Sequence, residues 1–126
     1  TVNCRVLPHE DPDEILATIE NIAGDKVAVS VTYPAIKSPP SMLTKQVENL
    51  IQTAVDKTFQ NIPVVPMMET GATDAIYLRS AGIPVYGTSG IMEDPTGWRS
   101  HGLNERVEVD AFAASLEFWY QLMKQL

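Results

Sequence analysis

Apolar positions recur along the chain with two different periods, and each period predicts an element. Thr1–Leu7 alternates apolar and polar residues, which predicts a strand ending at Pro8. Ile15, Ile19, Ile22 and Ala23 then recur at helical spacing. Asp11 is the expected N-cap of that helix, Pro12 its first helical residue, Glu14 the partner in a capping box and Gly24 its stop. In Val27–Tyr33 the side chains of Val27, Val29, Val31 and Tyr33 fall on one face, as in a half-buried strand. Three prolines within Pro34–Pro40 interrupt either pattern and mark the expected domain boundary. Beyond it Ser41 is expected to cap a second helix, whose core stripe is Leu43, Val47, Leu50, Ile51, Ala54, Val55 and Phe59.

Strand character then changes. Ile62–Met68 is apolar throughout, as is Ile83–Tyr86, and a helix from about Thr73 to Gly82 separates them. Short continuous apolar runs separated by helices predict strands covered on both faces, and so an α/β fold with a mainly parallel sheet. A last helix, capped by Asp110, is expected to bury Phe112, Leu116, Trp119, Met123 and Leu126.

Composition narrows the function. The chain has 126 residues, 44% of them hydrophobic, enough for one ordinary core and hardly for two. Net charge is −7, and the nine Lys and Arg are scattered, so no basic stripe can track a phosphate backbone or an anionic membrane. No apolar run approaches the length of a membrane span. The single cysteine, Cys4, alternates with Val2 and Val6 and is expected to be a buried, inert thiol. The opening Thr-Val-Asn-Cys-Arg-Val reads as a strand already under way, which suggests that the true N-terminus lies upstream.

Four segments could carry chemistry. Glu69–Asp74 lies between an apolar run and a helix, where a backbone approach at Gly71 and the Thr73 hydroxyl could meet an anion; from spacing alone an ordinary turn capped by Thr73 or Asp74 is the better reading. Gly87-Thr88-Ser89-Gly90 lacks the spacing and lysine of a phosphate loop and is better read as flexible. His101, on a loop that follows an irregular polar stretch, is either a metal ligand with Glu105 behind it or a surface residue. His9-Glu10-Asp11 has a His-x-Asp spacing used in zinc sites, but capping already accounts for Asp11. Catalytic zinc takes about three protein ligands and a water, and the two histidines here, with no adjacent Glu-Glu pair, do not complete such a set.

Thr70-Gly-Ala-Thr-Asp-Ala-Ile-Tyr-Leu-Arg-Ser-Ala-Gly-Ile-Pro-Val-Tyr-Gly, followed by His101-Gly-Leu-Asn-Glu-Arg-Val, resembles the dinuclear zinc peptidases related to carboxypeptidase S. That family includes aminoacylase, glutamate carboxypeptidase and succinyl-diaminopimelate desuccinylase. Val2-Asn-Cys-Arg-Val-Leu-Pro also looks like a strand of the family's lid, so the resemblance covers nearly the whole chain. It implies that residues 1–34 are the second half of a lid and dimerisation domain of α+β type. Residues 35–126 would then be the C-terminal part of the catalytic domain and its sheet. It further implies that His101 is a zinc ligand and Glu105 stands behind it. Gly71, Ala72, Thr73 and Asp74 would meet the substrate carboxylate, and Asn3 and Arg5 would reach over from the lid. The family's remaining zinc ligands and its general base lie upstream of the lid, and no position here matches them. The implied parent is a zinc-dependent hydrolase of peptides or N-acyl amino acids that uses two zinc ions. Its partners would be the N-terminal portion of the same enzyme and a second copy. This chain alone is expected to be inactive. A non-catalytic module for self-association or partner binding is the alternative.

Overall fold

The computed structural model describes residues 1–92, 97 and 99–126, and its regular structure is helical. The helices are α1 (Pro12–Ala23), α2 (Lys45–Phe59), α3 (Ala75–Ser80) and α4 (Val109–Met123). They belong to two compact units: one holds Thr1–Met42 and Met68–Tyr86, the other Leu43–Met67 and Gly87–Leu126.

The expected α/β fold is overturned. Among the described residues there is no strand, so neither the catalytic sheet nor the strands expected of an α+β half-lid are present. Local chemistry explains much of this. Pro63, Pro66 and Pro84 carry no N–H, so each removes a ladder donor from a run read as a strand. Side chains take up further backbone groups that a neighbouring strand would bind. Gln52 donates to the Ile62 carbonyl at 2.8 Å and accepts from the Val64 N–H at 2.9 Å. Ser41 Oγ accepts from the Val85 N–H at 2.8 Å. With no sheet to cover them, Val65 and Met67 are about three-quarters exposed, at 73% and 77%. Val27, Val31 and Tyr33 are exposed for the same reason, and so is Cys4, which is not the buried thiol expected.

In the first unit, α1 starts where its capping residues place it. Asp11 adopts extended backbone and its carboxylate accepts from the Asp13 N–H at 3.0 Å, while Pro12 occupies the first turn, where its missing N–H costs nothing. Gly24, at φ 65°, returns its N–H to the Glu20 carbonyl at 3.0 Å and stops the helix. The short α3 ends in a Schellman arrangement. Ile83 N–H reaches the Leu78 carbonyl at 3.0 Å and Gly82 N–H the Arg79 carbonyl at 2.9 Å, with Gly82 at φ 82°.

Segment 37–42 has no regular structure, yet side chains hold it. Lys37 Nζ pairs with both Asp11 carboxylate oxygens at 3.2 and 3.1 Å. Arg79 Nε donates to Ser38 Oγ at 2.9 Å, and the Tyr86 hydroxyl to the Met42 carbonyl at 2.8 Å. The Asp13 N–H and then Lys37 hold the Asp11 carboxyl below the usual carboxylate range, while Asp11 holds the Lys37 ammonium above the usual lysine range. A depressed carboxyl pKa gives stability present above its unfolded value and lost as pH falls through the folded one; a raised lysine pKa gives stability lost as pH rises through it. Melting temperatures of Lys37→Met and the parent chain should therefore differ at neutral pH and converge in acid. The pair is exposed, so the difference is small. A gap that stays constant into acid would show that Lys37 acts without Asp11.

The second unit is built on α2 against α4. Thr44, not Ser41, caps α2: its hydroxyl accepts from the Val47 N–H at 3.3 Å. Gln60 ends the helix in left-handed backbone at φ 60°. The expected stripe is right from Val47 to Phe59, where Ala54 is fully buried; Leu43 lies outside it and is exposed. For α4 the expected face is wrong. Glu108, not Asp110, is the N-cap, and Asp110 sits in the first turn, where its charge suits the helix dipole. Ser115 and Phe118 are buried, whereas Phe112, Leu116, Trp119, Met123 and Leu126 are all exposed. The helix is apolar nearly all round, so size and hydropathy could not choose the face. Small residues chose it: Ala111, Ala114 and Ser115 lie on the covered side and let α2 approach. The Ser115 hydroxyl is satisfied by donating to the Ser89 carbonyl at 3.0 Å. Among the described residues, Ala54 and Phe118 are the only buried hydrophobics.

No helix among the described residues is long and apolar enough to cross a membrane.

Candidate functional site

The expected site residues fall in both units. In the first, Asn3 and Arg5 are exposed on the segment without regular structure that precedes the turn at Leu7–Glu10. That turn closes with Glu10 N–H on the Leu7 carbonyl at 3.0 Å. In return the Glu10 carboxylate accepts the Leu7 N–H at 3.3 Å. With Asp11 holding Asp13 and Lys37, the His9-Glu10-Asp11 stretch is occupied by turn and cap chemistry, as the reading of Asp11 anticipated.

Gly71, Ala72, Thr73 and Asp74 lead into α3 and are exposed. Thr73 acts as a turn residue: its hydroxyl oxygen accepts from Ala75 N–H at 3.4 Å and its carbonyl from Ile76 N–H at 3.2 Å. Asp74 occupies the N-cap position in helical backbone and makes no side-chain cap bond, so its carboxylate is not committed to the helix. A Cβ built on Gly71 would meet nothing within 4 Å, so the space beside its backbone is open to an approaching group.

In the second unit His101 and Glu105 share one loop. Arg99 and His101 both take left-handed backbone, at φ 51° and 63°. Such backbone disfavours most side chains and tolerates His better than bulky residues. Gly102 N–H closes on the Arg99 carbonyl at 2.9 Å, and Glu105 N–H on the Gly102 carbonyl at 3.2 Å, which turns the chain twice and leaves the His101 side chain exposed. Residues 93–96 and 98, most of the polar stretch expected before His101, lie outside the described residues.

These residues do not make a metal centre by themselves. Among the described residues no group of three or more His, Cys, Asp and Glu is placed to hold an ion. One exposed imidazole falls short of the three protein ligands that a catalytic zinc takes.

Gly87–Gly90, read from sequence as flexible, is instead pinned. Ser89 Oγ accepts the Ile91 N–H at 3.2 Å, and the Ser89 carbonyl holds Ser115. Gly90 sits at φ 64°, where a Cβ would lie 2.4 Å from Phe118 Cδ1. Sequence reading placed Gly90 in a flexible loop with no packing role and passed over Gln52. The available signals were a glycine next to an apolar residue and a glutamine inside an apolar helical stripe.

A family model described as Peptidase family M20/M25/M40 matches residues 5–125. The chain belongs to that peptidase family. Members of the M20 family are hydrolases and are generally metal-dependent. Relatives agree with the assignment. The chain is 24% identical to "Probable carboxypeptidase S-like 2" of Dictyostelium discoideum, over 98% of this chain and 24% of that protein. It is 30% identical to "N-fatty-acyl-amino acid synthase/hydrolase PM20D1" of Xenopus tropicalis, over 98% of this chain and 25% of that one. Identity to the Homo sapiens protein of the same name is 25%, with 98% and 26% covered. The chain thus spans about a quarter of the length of the curated M20 relatives it matches. No solved structure gives a significant match.

Proposed function

We propose that these 126 residues are the C-terminal portion of a zinc-dependent M20 hydrolase that cleaves a peptide or N-acyl-amino-acid amide bond, and that the portion is inactive by itself. The observation that carries this reading is the family match across residues 5–125, joined to a span of only a quarter of the relatives. The printed names of those relatives, a carboxypeptidase S-like protein and fatty-acyl-amino acid hydrolases, support an amide substrate ending in a free carboxylate.

In this reading residues 1–34 are the second half of a lid and dimerisation domain, and residues 35–126 complete the catalytic domain. His101 supplies one ligand to a two-zinc centre whose other ligands and general base belong to the N-terminal portion, with Glu105 orienting the imidazole. Gly71–Asp74 present backbone N–H groups and a hydroxyl to the substrate carboxylate, and Asn3 and Arg5 reach the substrate from the lid. The small core supports the need for further chain: among the described residues two fully buried apolar side chains are few for a chain of this length.

The test is complementation. The chain is mixed with a separately produced N-terminal portion and zinc, and hydrolysis of peptides and N-acyl amino acids is followed. Activity is expected only in the mixture. A mixture no more active than its parts, or full activity in either part, overturns the proposal.

A second reading has one observation in its favour. The stripe Phe112, Leu116, Trp119 and Met123 on α4 is exposed, as suits a non-catalytic module that associates with itself or with a partner. Mass in solution with and without zinc separates the two. A defined oligomer indifferent to zinc favours the module, whereas a zinc-dependent change on adding the N-terminal portion favours the hydrolase.

A further inference from the structure

The Gln52 side chain does something a helix side chain rarely does: it binds backbone as a neighbouring strand would. In a parallel ladder, one residue donates its N–H to the carbonyl of residue i−1 opposite and accepts from the N–H of residue i+1. Gln52 makes that pair of contacts around Pro63, donating to the Ile62 carbonyl at 2.8 Å and accepting from the Val64 N–H at 2.9 Å. Its amide is fully used, because Nε2 also donates to Asp56 Oδ1 at 2.7 Å, one helical turn on.

The contacts place the Ile62 carbonyl and Val64 N–H on one edge of the run. An added strand would draw the run into extended backbone, in which the groups of successive residues alternate between edges, so residue 66 would share that edge with 62 and 64. Residue 66 is proline and has no N–H to offer. One edge is thus closed twice in succession, first by a side-chain amide and then by a missing donor. The run it protects is Ile-Pro-Val-Val-Pro-Met, uncharged and, apart from the half-buried Val64, exposed; unpaired N–H and C=O groups along such an apolar edge are a template for a strand from another chain.

We propose that Gln52 is an edge guard: it occupies the hydrogen-bonding positions at 62 and 64 and, with Pro66, prevents a second copy of this chain from adding a strand there. Asp56 is a positioning residue that fixes the amide but does not touch the edge.

Three measurements on the full chain test this: Val64 amide hydrogen exchange, mass in solution, and the infrared signature of intermolecular β-structure. Gln52→Ala is expected to speed Val64 exchange by about tenfold or more, since one hydrogen bond is lost. It should also produce concentration-dependent growth in mass with new intermolecular β-signal. Asp56→Ala should leave mass at the parent value. Pro66→Ala should behave like the parent while Gln52 stands, and the double variant should associate more than Gln52→Ala. Helical circular dichroism reports whether each variant folds. If Gln52→Ala loses that signal, Gln52→Glu decides the matter. It keeps the oxygen for Val64 but not the donor for Ile62, so partial association supports the guard and parent-like mass overturns it. Unchanged mass in a folded Gln52→Ala, or equal association in Asp56→Ala, also overturns it. So does association without new β-signal, which is the outcome expected if the α4 stripe drives assembly.

Discussion

Replacing His101 is expected to lower the activity of the assembled hydrolase by about 100-fold or more. Changing a group that merely orients a metal ligand costs 10- to 100-fold, so removing a ligand should cost at least the upper end of that range. The choice of substitute matters because His101 has φ 63°. Alanine there adds backbone strain, whereas asparagine accepts left-handed backbone and lacks the imidazole. Activity should therefore fall alike in His101→Asn and His101→Ala, while only the alanine variant loses stability. The exposed side chain makes few contacts to lose, so folding of the asparagine variant should match the parent. Zinc titration of the mixture separates a ligand from a bystander: a ligand variant needs more metal for half-activity. Activity of both variants within about twofold of the parent, in the range of ordinary surface changes, would sink the assignment.

Phe118→Ala should be the most damaging single change to stability. Phe118 is fully buried, its ring 6.4 Å from Phe59 and edge-on to Trp119 at 5.7 Å. Truncating a buried phenylalanine costs about 3–5 kcal/mol. Domains are stable by only about 5–15 kcal/mol in total, so a chain with so small a core should lose much of its cooperativity. Phe112→Ala is the control, one residue off the covered face on the same helix, and should cost about 1 kcal/mol or less. Urea midpoints by helical circular dichroism make the comparison, and equal losses would mean that the packing of α4 is misassigned. The Gly90 contact should appear as coupling. Gly90→Ala alone forces a Cβ against the Phe118 ring, and that part of its cost should vanish in the double variant while the cost of positive φ remains.

The legible parts of the fold were those that local chemistry settles. Asp11-Pro12 and Gly24 fix both ends of α1 without reference to anything distant, and Gly82 marks the stop just beyond α3. Caps chosen by residue type alone went astray where the side chain had a better partner. Ser41 was spent on Val85, so Thr44 capped α2 instead. The face of α4 was illegible because both candidate stripes are apolar and the choice turned on how close α2 could come. Sheet formation was misread for a different reason. Apolar runs report a tendency to be covered, but a ladder also needs donors and a neighbour, and proline and side-chain amides removed the first. For the site, the family was readable from Thr70–Gly87 and His101–Val107 taken in order, and the match over residues 5–125 agrees. A metal centre was not, because coordination depends on residues far apart in sequence, and among the described residues no group of three or more His, Cys, Asp and Glu is placed to hold an ion.

The edge-on contact between Trp119 and Phe118 has a practical use. An indole beside the fully buried ring of the unit, itself 40% exposed, reports by its emission colour and by quenching whether that ring is seated. The only other tryptophan, Trp98, can be replaced by phenylalanine to leave a single emitter. Seating of α4 on α2 could then be followed in real time, unlabelled and at low concentration, while the N-terminal portion is added.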